Sequence, residues 1–280
     1  MNVFITGGGG NIASIIKKNL KNINIINPTH DELDLLDIDQ LHHFINNKQF
    51  DILIHTAIIG GRRTKEEDSY LVYKNILMFE NLLLFSKHFR MIINLDSGAI
   101  YDRSTDILNR KESEIYTVPV DYYGFSKYMI YNRTLQYSHI FNLRIFNIFH
   151  LHEESDRFIK SCFLAKQNNK EITIFEDKYF DFFHETDFIR VINFYISQIE
   201  NISSLPKVIN LCYKEKYTLS KIAHIIYPDT SKIKILSTTK NRNYCGNSNV
   251  LYDLPILLDG IENSILNIRN SLQENDKHMA

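Results

Sequence analysis

The chain opens Met1-Asn-Val-Phe-Ile-Thr-Gly-Gly-Gly-Gly-Asn-Ile-Ala13, and no other stretch restricts its folding more. Val3 to Thr6 is a short apolar run that reads as a buried strand. It breaks into glycines, and the amphipathic stretch Ile12 to Leu20 follows as a helix. A strand that turns through glycine into a helix aims the helix's free N–H groups at whatever lies above the strand end. Those N–H groups and the helix dipole both favour an anion, a pyrophosphate above all. Gly7 and Gly10 are expected to let the backbone turn tightly and approach phosphates, and small Ala13 to let the helix pack closely on the strand.

The rhythm begun there continues. Ile23–Ile26, Asp51–His55, Met91–Leu95 and Ile140–Ile145 read as strands. Between them, Asp39–Asn47, Glu66–Ser86 and Tyr122–Tyr137 read as helices, the second with Ile76, Leu77, Leu82, Leu83 and Leu84 on its apolar side. Such alternation predicts a parallel sheet covered on both faces. Beyond His150 the rhythm loosens into helices at Arg157–Lys166, Glu185–Ile199, Leu219–Ile226 and Pro255–Ser271, with strands at Glu171–Phe175 and Lys207–Leu211. The expected division is residues 1–150 as a dinucleotide-binding domain and 151–280 as a smaller lobe interleaved with it. The polar tail from Glu274 is expected to fray.

With 44% hydrophobic and 23% charged residues and a net charge of −1, the chain has the make-up of a globular protein without a global field for nucleic acid or membrane. Cys162, Cys212 and Cys245 are far apart, without metal-ligand spacing, so free thiols and no metal are expected. The first strand starts at once and no apolar run is long enough to span a bilayer. A cytoplasmic location is the expectation.

Tyr123-Gly-Phe-Ser-Lys127 places a phenol and an ammonium four residues apart, on one face of a helix. A lysine charge beside a phenol is expected to draw its pKa down from ~10, making it a proton donor near neutral pH. The spacing itself recurs at Tyr70/Lys74 and Tyr217/Lys221. Tyr123 differs in following Ser97, which is expected just past the end of the fourth strand, where α/β sheets bind ligands. Tyr122 has Ser126, not lysine, four residues on.

Taken together, these motifs resemble the extended short-chain dehydrogenase/reductase family that modifies nucleotide-linked sugars. The series runs Thr6–Ala13, Asp34-Leu35-Leu36-Asp37, His55-Thr56-Ala57, Asn75, Ser97-Gly-Ala-Ile-Tyr101 and Tyr123–Lys127. It continues with Leu143-Arg-Ile-Phe-Asn147-Ile-Phe149, Asp181–Asp187, Asn210-Leu211 and Asp259-Gly-Ile261. The resemblance implies an α/β fold, a Rossmann-like doubly wound parallel sheet with a smaller C-terminal α/β substrate lobe. It also implies an NAD(P) cofactor, a nucleotide-diphosphate sugar substrate and a homodimer. Ser97, Tyr123 and Lys127 would be catalytic. Gly7, Gly10, Asn11, Ile12, Asp34, Leu35, Thr56, Ala57, Ile58, Asn75, Tyr123, Lys127 and Ile148 would bind the cofactor. Substrate would meet Ser97, Ala99, Asn147, Arg157 and Arg242.

Dehydratases of the family carry Asp-Glu after their serine or threonine; here Gly98-Ala99 have no proton to give. His30–Asp37 and Ile59-Gly60-Gly61 are similar to GDP-fucose synthase, but Ala99 and Arg157 stand where its epimerising cysteine and histidine would align. Hydride transfer at a carbonyl remains. The expected activity is an NADPH-consuming reductase at C4 of a nucleotide-linked 4-keto-6-deoxy sugar. Alternatives are an NAD-holding 4-epimerase and a non-catalytic dinucleotide sensor of the same fold. The second strand ends at Asn27-Pro28-Thr29-His30, without an acidic residue to repel a 2′-phosphate, which favours NADP over NAD. Phe180 stands where the family often has an arginine for the substrate diphosphate; Arg62, Arg63, Arg157 and Arg242 are candidate replacements. His184 is expected to be packed or solvated, not catalytic.

Overall fold

A computed structural model describes residues 1–61, 66–237 and 242–278. In chain order the strands and helices are β1 (Asn2–Ile5), α1 (Asn11–Asn19), β2 (Asn24–Ile26), α2 (Ile38–Asn46), β3 (Ile52–His55), α3 (Tyr70–Leu83), β4 (Met91–Ser97), β5 (Ile107–Arg110), α4 (Tyr122–Thr134) and β6 (Ile140–Ile145). There follow β7 (Ile148–Phe149), α5 (Phe158–Gln167), β8 (Ile172–Glu176), β9 (Phe183–His184), α6 (Glu185–Ser197), β10 (Val208–Leu211), α7 (Leu219–Ile226), β11 (Ile233–Ser237), β12 (Tyr244–Gly246), α8 (Asn249–Tyr252) and α9 (Gly260–His278). The chain forms two compact units interleaved in sequence. The first comprises 1–104, 112–145 and 191–209; the second comprises 105–111, 146–190 and 210–280.

The first unit is built on a sheet of order β10-β6-β4-β3-β1-β2, in which the pairs β2/β1, β1/β3, β3/β4 and β4/β6 are parallel. The α/β class read from the sequence is the one observed. The sheet is apolar because both faces need cover: every residue of β3 and β4 is buried. Phe4 of β1 centres one cluster, its ring 5.1 and 5.2 Å from those of Phe44 and Phe50, with Leu41, Leu53, Phe79, Leu82 and Ile92 around it. After β1 the chain adds β2 on one side and returns to place β3 on the other. The order reverses between β1 and β3, and in such sheets ligands bind above the carboxyl ends of the strands at that point.

One sequence expectation needs correction here. Leu84 is not on the apolar side of α3; it caps the helix and is 72% exposed, while Asn75 and Asn81 are buried on that face. Ile59 and Leu35 supply backbone groups that satisfy these two amides, so burial costs them little. The polar tail from Glu274 is helical as far as His278, continuing α9. Its residues there are polar but include neither glycine nor proline to end a helix.

In the second unit strands pair by twos, β8 with β11, β5 with β12 and β7 with β9. Asp181 and Asp187 anchor it. Asp181 takes Lys216 on both oxygens, at 2.9 and 2.8 Å, and the Gly246 N–H at 2.8 Å. Asp187 accepts from Arg190, the Tyr213 hydroxyl and the N–H groups of Asp259 and Gly260. Among the described residues no helix is long and apolar enough to cross a membrane.

Candidate active site

At the switch point Thr6 ties the ends of β1 and β3 together. Its hydroxyl oxygen accepts from the N–H groups of Thr56 (3.0 Å) and Ala57 (3.1 Å) and sits 3.0 Å from His55 Nδ1, while the Thr56 hydroxyl donates to the Thr6 carbonyl. Burial, with the Lys127 charge nearby, pushes His55 down to about 3, so it is neutral at physiological pH.

The glycine turn follows directly. Gly7 has φ +72°, a conformation that side chains rarely adopt. A Cβ on Gly8 would lie 2.5 Å from the Asn27 carbonyl oxygen and 2.6 Å from that of Pro28, to which Gly8 N–H donates. Gly8, unmarked in the sequence reading, is thus where the turn has least room. Gly10 caps α1 in an extended conformation, and its Cβ would meet only the Gly7 carbonyl, at 3.1 Å. No side chain caps the N-terminus of α1, and no acidic residue occupies its first turn. Asn11 and Ile12 therefore offer uncapped N–H groups, an arrangement that fits a dinucleotide pyrophosphate.

The other expected cofactor residues are placed as follows. Thr56, Ala57 and Ile58 continue from the end of β3, and Ala57 and Ile58 lie partly buried against the core. Leu35 is a core side chain, and the Asp34 carboxylate accepts from Leu36 N–H, forming a turn. Asn75 is fully buried, holding Ile59 at both its N–H and its carbonyl (2.9 Å each) and donating to the Ser126 hydroxyl.

Ser97 is the last residue of β4, not the one after it. Its Oγ accepts from Ala99 N–H at 3.2 Å and lies near the Tyr123 phenol, acting to lower it. Lys127, buried one turn further along α4, donates from Nζ to the Leu95 carbonyl at 2.6 Å, with Nζ 6.0 Å from the Tyr123 ring centre. The structure therefore brings Ser97, Tyr123 and Lys127 together.

It does not support the expected lowering of the phenol by Lys127. Burial pushes Tyr123 up to about 12; Asp96 and Glu67 act in the same direction, and the Ser97 hydroxyl and Arg103 oppose it. The Lys127 ammonium is spent on a strand carbonyl instead, and burial lowers it to about 8 against the attraction of Asp96. Behind Ser97, Asp96 and Arg144 form a wholly buried ion pair at 2.7 Å across β4 and β6.

The two look-alike pairs have no such setting. Tyr70 is 55% exposed with Lys74 over its ring, and Tyr217 donates to Glu262. Asn147, Ile148, Arg157 and Arg242 belong to the second unit. The Asn147 carbonyl accepts from Phe183, Ile148 is buried in β7, Arg157 caps α5, and Arg242 is exposed. Arg62 and Arg63 lie outside the described residues. His184 is buried with its ring 4.9 Å from Phe149, and burial pushes it down to about 4.

A family model described as the NAD dependent epimerase/dehydratase family matches residues 3–212. The chain belongs to this family. Membership agrees with the extended short-chain dehydrogenase/reductase motifs and makes the chain an enzyme of the epimerase and oxidoreductase kind that uses a nicotinamide dinucleotide. It is 24% identical to ADP-L-glycero-D-manno-heptose-6-epimerase of Brachyspira hyodysenteriae over 85% of its own length and 88% of that protein's. It is 30% identical to GDP-L-colitose synthase of Yersinia pseudotuberculosis over 38% of its length and 36% of that protein's. Among solved structures, a dTDP-4-dehydrorhamnose reductase from Clostridium acetobutylicum superposes with a TM-score of 0.80 at 18% identity, over 98% of this chain and 100% of that one. Solved structures of this fold include chains with NADP and chains with NAD.

Proposed function

We propose that this member is a reductase that consumes NADPH and acts at C4 of a nucleotide-linked 4-keto-6-deoxy sugar. The observation that carries the reading is the placement of Ser97, last residue of β4, near Tyr123 and Lys127 of α4, followed by a buried methyl, Ala99. Ser97 and Tyr123 can orient and protonate a carbonyl oxygen. Gly98 and Ala99 offer no acid for dehydration and no thiol for carbon-acid epimerisation.

In this reading the uncapped start of α1 binds the dinucleotide pyrophosphate, and the bound reduced nicotinamide supplies the hydride. Ser97 fixes the substrate oxygen. Tyr123 gives it a proton, and a phenol held well above neutral pH keeps that proton until the oxygen has gained charge to receive it. Lys127, held on the Leu95 carbonyl one turn along α4 from Tyr123, is the proposed partner of the cofactor's ribose. Asn147, Arg157 and Arg242 are the proposed substrate contacts.

NADP is favoured by the end of β2. The Asn27 amide donates to the Ile5 carbonyl, the Glu32 carboxylate folds onto the N–H and hydroxyl of Thr29, and no carboxylate precedes Asp31. The second reading is a 4-epimerase that retains NAD; the heptose-6-epimerase relative supports epimerisation as the reaction class.

Denaturing the protein as purified and identifying what it releases separates the two. A site that fills with NADPH in preference to NADH, with NADPH oxidised on a nucleotide-linked ketosugar, supports the reductase. Stoichiometric, non-exchanging NAD, with sugars interconverted and no net redox change, supports the epimerase. Dinucleotide binding with neither activity overturns both.

A further inference from the structure

Glu67 reaches Tyr123 from 56 residues away, and no sequence motif marks it. One carboxylate oxygen accepts from Gly61 N–H at 2.6 Å and the other from Tyr123 N–H at 3.3 Å. Two carboxylates thus divide the open N–H groups at the start of α4, since Asp121 takes that of Gly124 at 2.8 Å.

The turn held by Glu67 lies against the reactive ring. Gly61 has φ +83°, and a Cβ there would sit 2.9 Å from both Cε2 and Cζ of Tyr123, Cζ being the carbon that bears the hydroxyl. The same turn is fixed at its other end by Asn75, which grips Ile59 and reaches Ser126, whose hydroxyl donates to the Tyr123 carbonyl. Backbone, ring and helix start are thus joined, with Glu67 linking the Gly61 end of the turn to α4.

We infer that Glu67 is a positioning residue for Tyr123, its carboxylate clamping the Ile59–Gly61 turn to the first turn of α4 and so fixing where the phenol points. This rests on the reading of Tyr123 as proton donor, and it adds an electrostatic consequence. The charged groups facing the phenol are Lys127 on its own helix, Asp96 at the end of β4, Arg103 paired with Asp121, and Glu67. Glu67 and Asp96 hold the proton on the phenol, and Arg103 works the other way.

The test uses Glu67→Ala, Glu67→Gln and Gly61→Ala, with Tyr123→Phe as reference. Two readouts are taken: steady-state NADPH oxidation on a ketosugar, and the pH titration of phenolate absorbance after subtracting that of Tyr123→Phe. Glu67→Ala is expected to lower kcat about tenfold or more, with NADPH affinity within about threefold, because misplacement by about 1 Å costs turnover far more than binding. Glu67→Gln keeps an acceptor for Gly61 but removes the charge. It should recover much of kcat and move the Tyr123 titration down by roughly half a unit or more. If Glu67→Ala fails to fold, Gly61→Ala carries the test, since its methyl pushes the ring directly and should lower kcat in the same way. A folded Glu67→Ala with wild-type kcat and an unmoved titration overturns the proposal. Should Tyr123→Phe retain turnover, the proton-donor reading fails, and the phenolate titration still decides whether Glu67 governs Tyr123.

Discussion

The Lys127 ammonium donates to the Leu95 carbonyl at 2.6 Å, so the charge of the Tyr-Lys pair is anchored to the sheet and not to the phenol. Burial lowers this lysine from its ordinary 10.5 to about 8. A base whose pKa falls on folding costs stability while it is charged, and the cost fades as pH rises from about 8 past its unfolded value. Lys127→Met is therefore expected to gain about 1–3 kcal/mol at pH 7 relative to its effect at pH 10, less what the lost Leu95 bond contributes. Turnover should fall at the same time. Urea unfolding at the two pH values checks it, and a destabilisation equal at both would sink the assignment.

Tyr123→Phe removes the proton without opening a cavity. Turnover should drop on the order of 10²–10⁴-fold, the range for general acid catalysis, while NADPH titration stays nearly unchanged. Phenylalanine at the exposed Tyr70, or at Tyr217, should leave turnover within about twofold of wild type, the usual fate of a surface change away from the reacting atoms. Turnover of Tyr123→Phe close to wild type would mean that the proton comes from elsewhere.

Much of the first unit was legible because its apolar strands alternate with amphipathic helices and with turn signals. Ile140–Ile145 and, in the second unit, Leu219–Ile226 have the bounds that apolar pattern and turn signals indicate. The strands β5, β7, β9, β11 and β12 were not legible. They lie outside that alternation, and their partners are remote, as Tyr244 is from Ile107. Motif spacing also singled out Ser97, Tyr123 and Lys127, which end β4 and line the start of α4. It could not show that Lys127 turns to Leu95, that Gly8 has less room than Gly10, or that Glu67 reaches Tyr123. Each is set by tertiary contact between segments whose separation carries no pattern.

In the second unit, the buried Asp181–Lys216 pair makes an asymmetric forecast. Removing the acid leaves an ammonium without its partner, so Asp181→Ala should cost about 3–5 kcal/mol. Lys216→Met leaves a carboxyl that burial already pushes up to about 6 and that takes up a proton readily. An acid whose pKa is raised on folding contributes stability below its unfolded value and loses it as pH rises through the folded one. The loss from Lys216→Met should therefore be smaller at pH 5 than at pH 8, and the double change Asp181→Leu/Lys216→Met should recover much of the single losses. Denaturant midpoints that simply add would overturn the coupling.

Glu153 gives a second pH signature. It is buried between β7 and α5, and among the described residues its Oε1 has no hydrogen-bond partner; burial pushes it from 4.5 up to about 7, against the pull of Arg157 and Lys160. The sign is the same as for Asp181: stability from this group is whole below pH 4.5 and lost as pH rises through about 7. Glu153→Gln is expected to gain about 1–3 kcal/mol at pH 8.5 and almost nothing at pH 4.5. Thermal melts of both proteins at the two pH values decide it, and an equal gain at both would mean that packing and not charge is responsible.

The glycine turn separates space from composition. A methyl on Gly8 would meet the carbonyl oxygens of Asn27 and Pro28, at 2.5 and 2.6 Å, whereas a methyl on Gly9 would meet nothing within 4 Å beyond its chain neighbours. Backbone oxygens cannot swing aside as a flexible side chain can, so Gly8→Ala must displace either β2's end or the turn that presents the N–H groups of α1. Gly8→Ala should cost about 1–3 kcal/mol, typical of overpacking, and weaken NADPH binding at least about tenfold. Gly9→Ala, two residues before the helix and facing open space, should cost less than about 0.5 kcal/mol, the usual effect of a surface change. Its effect on NADPH reports whether the cofactor itself fills that space. Calorimetric titration of both variants, with unfolding curves alongside, makes the comparison. Equal affinity in wild type and a folded Gly8→Ala would show that the anion does not depend on the position of this turn.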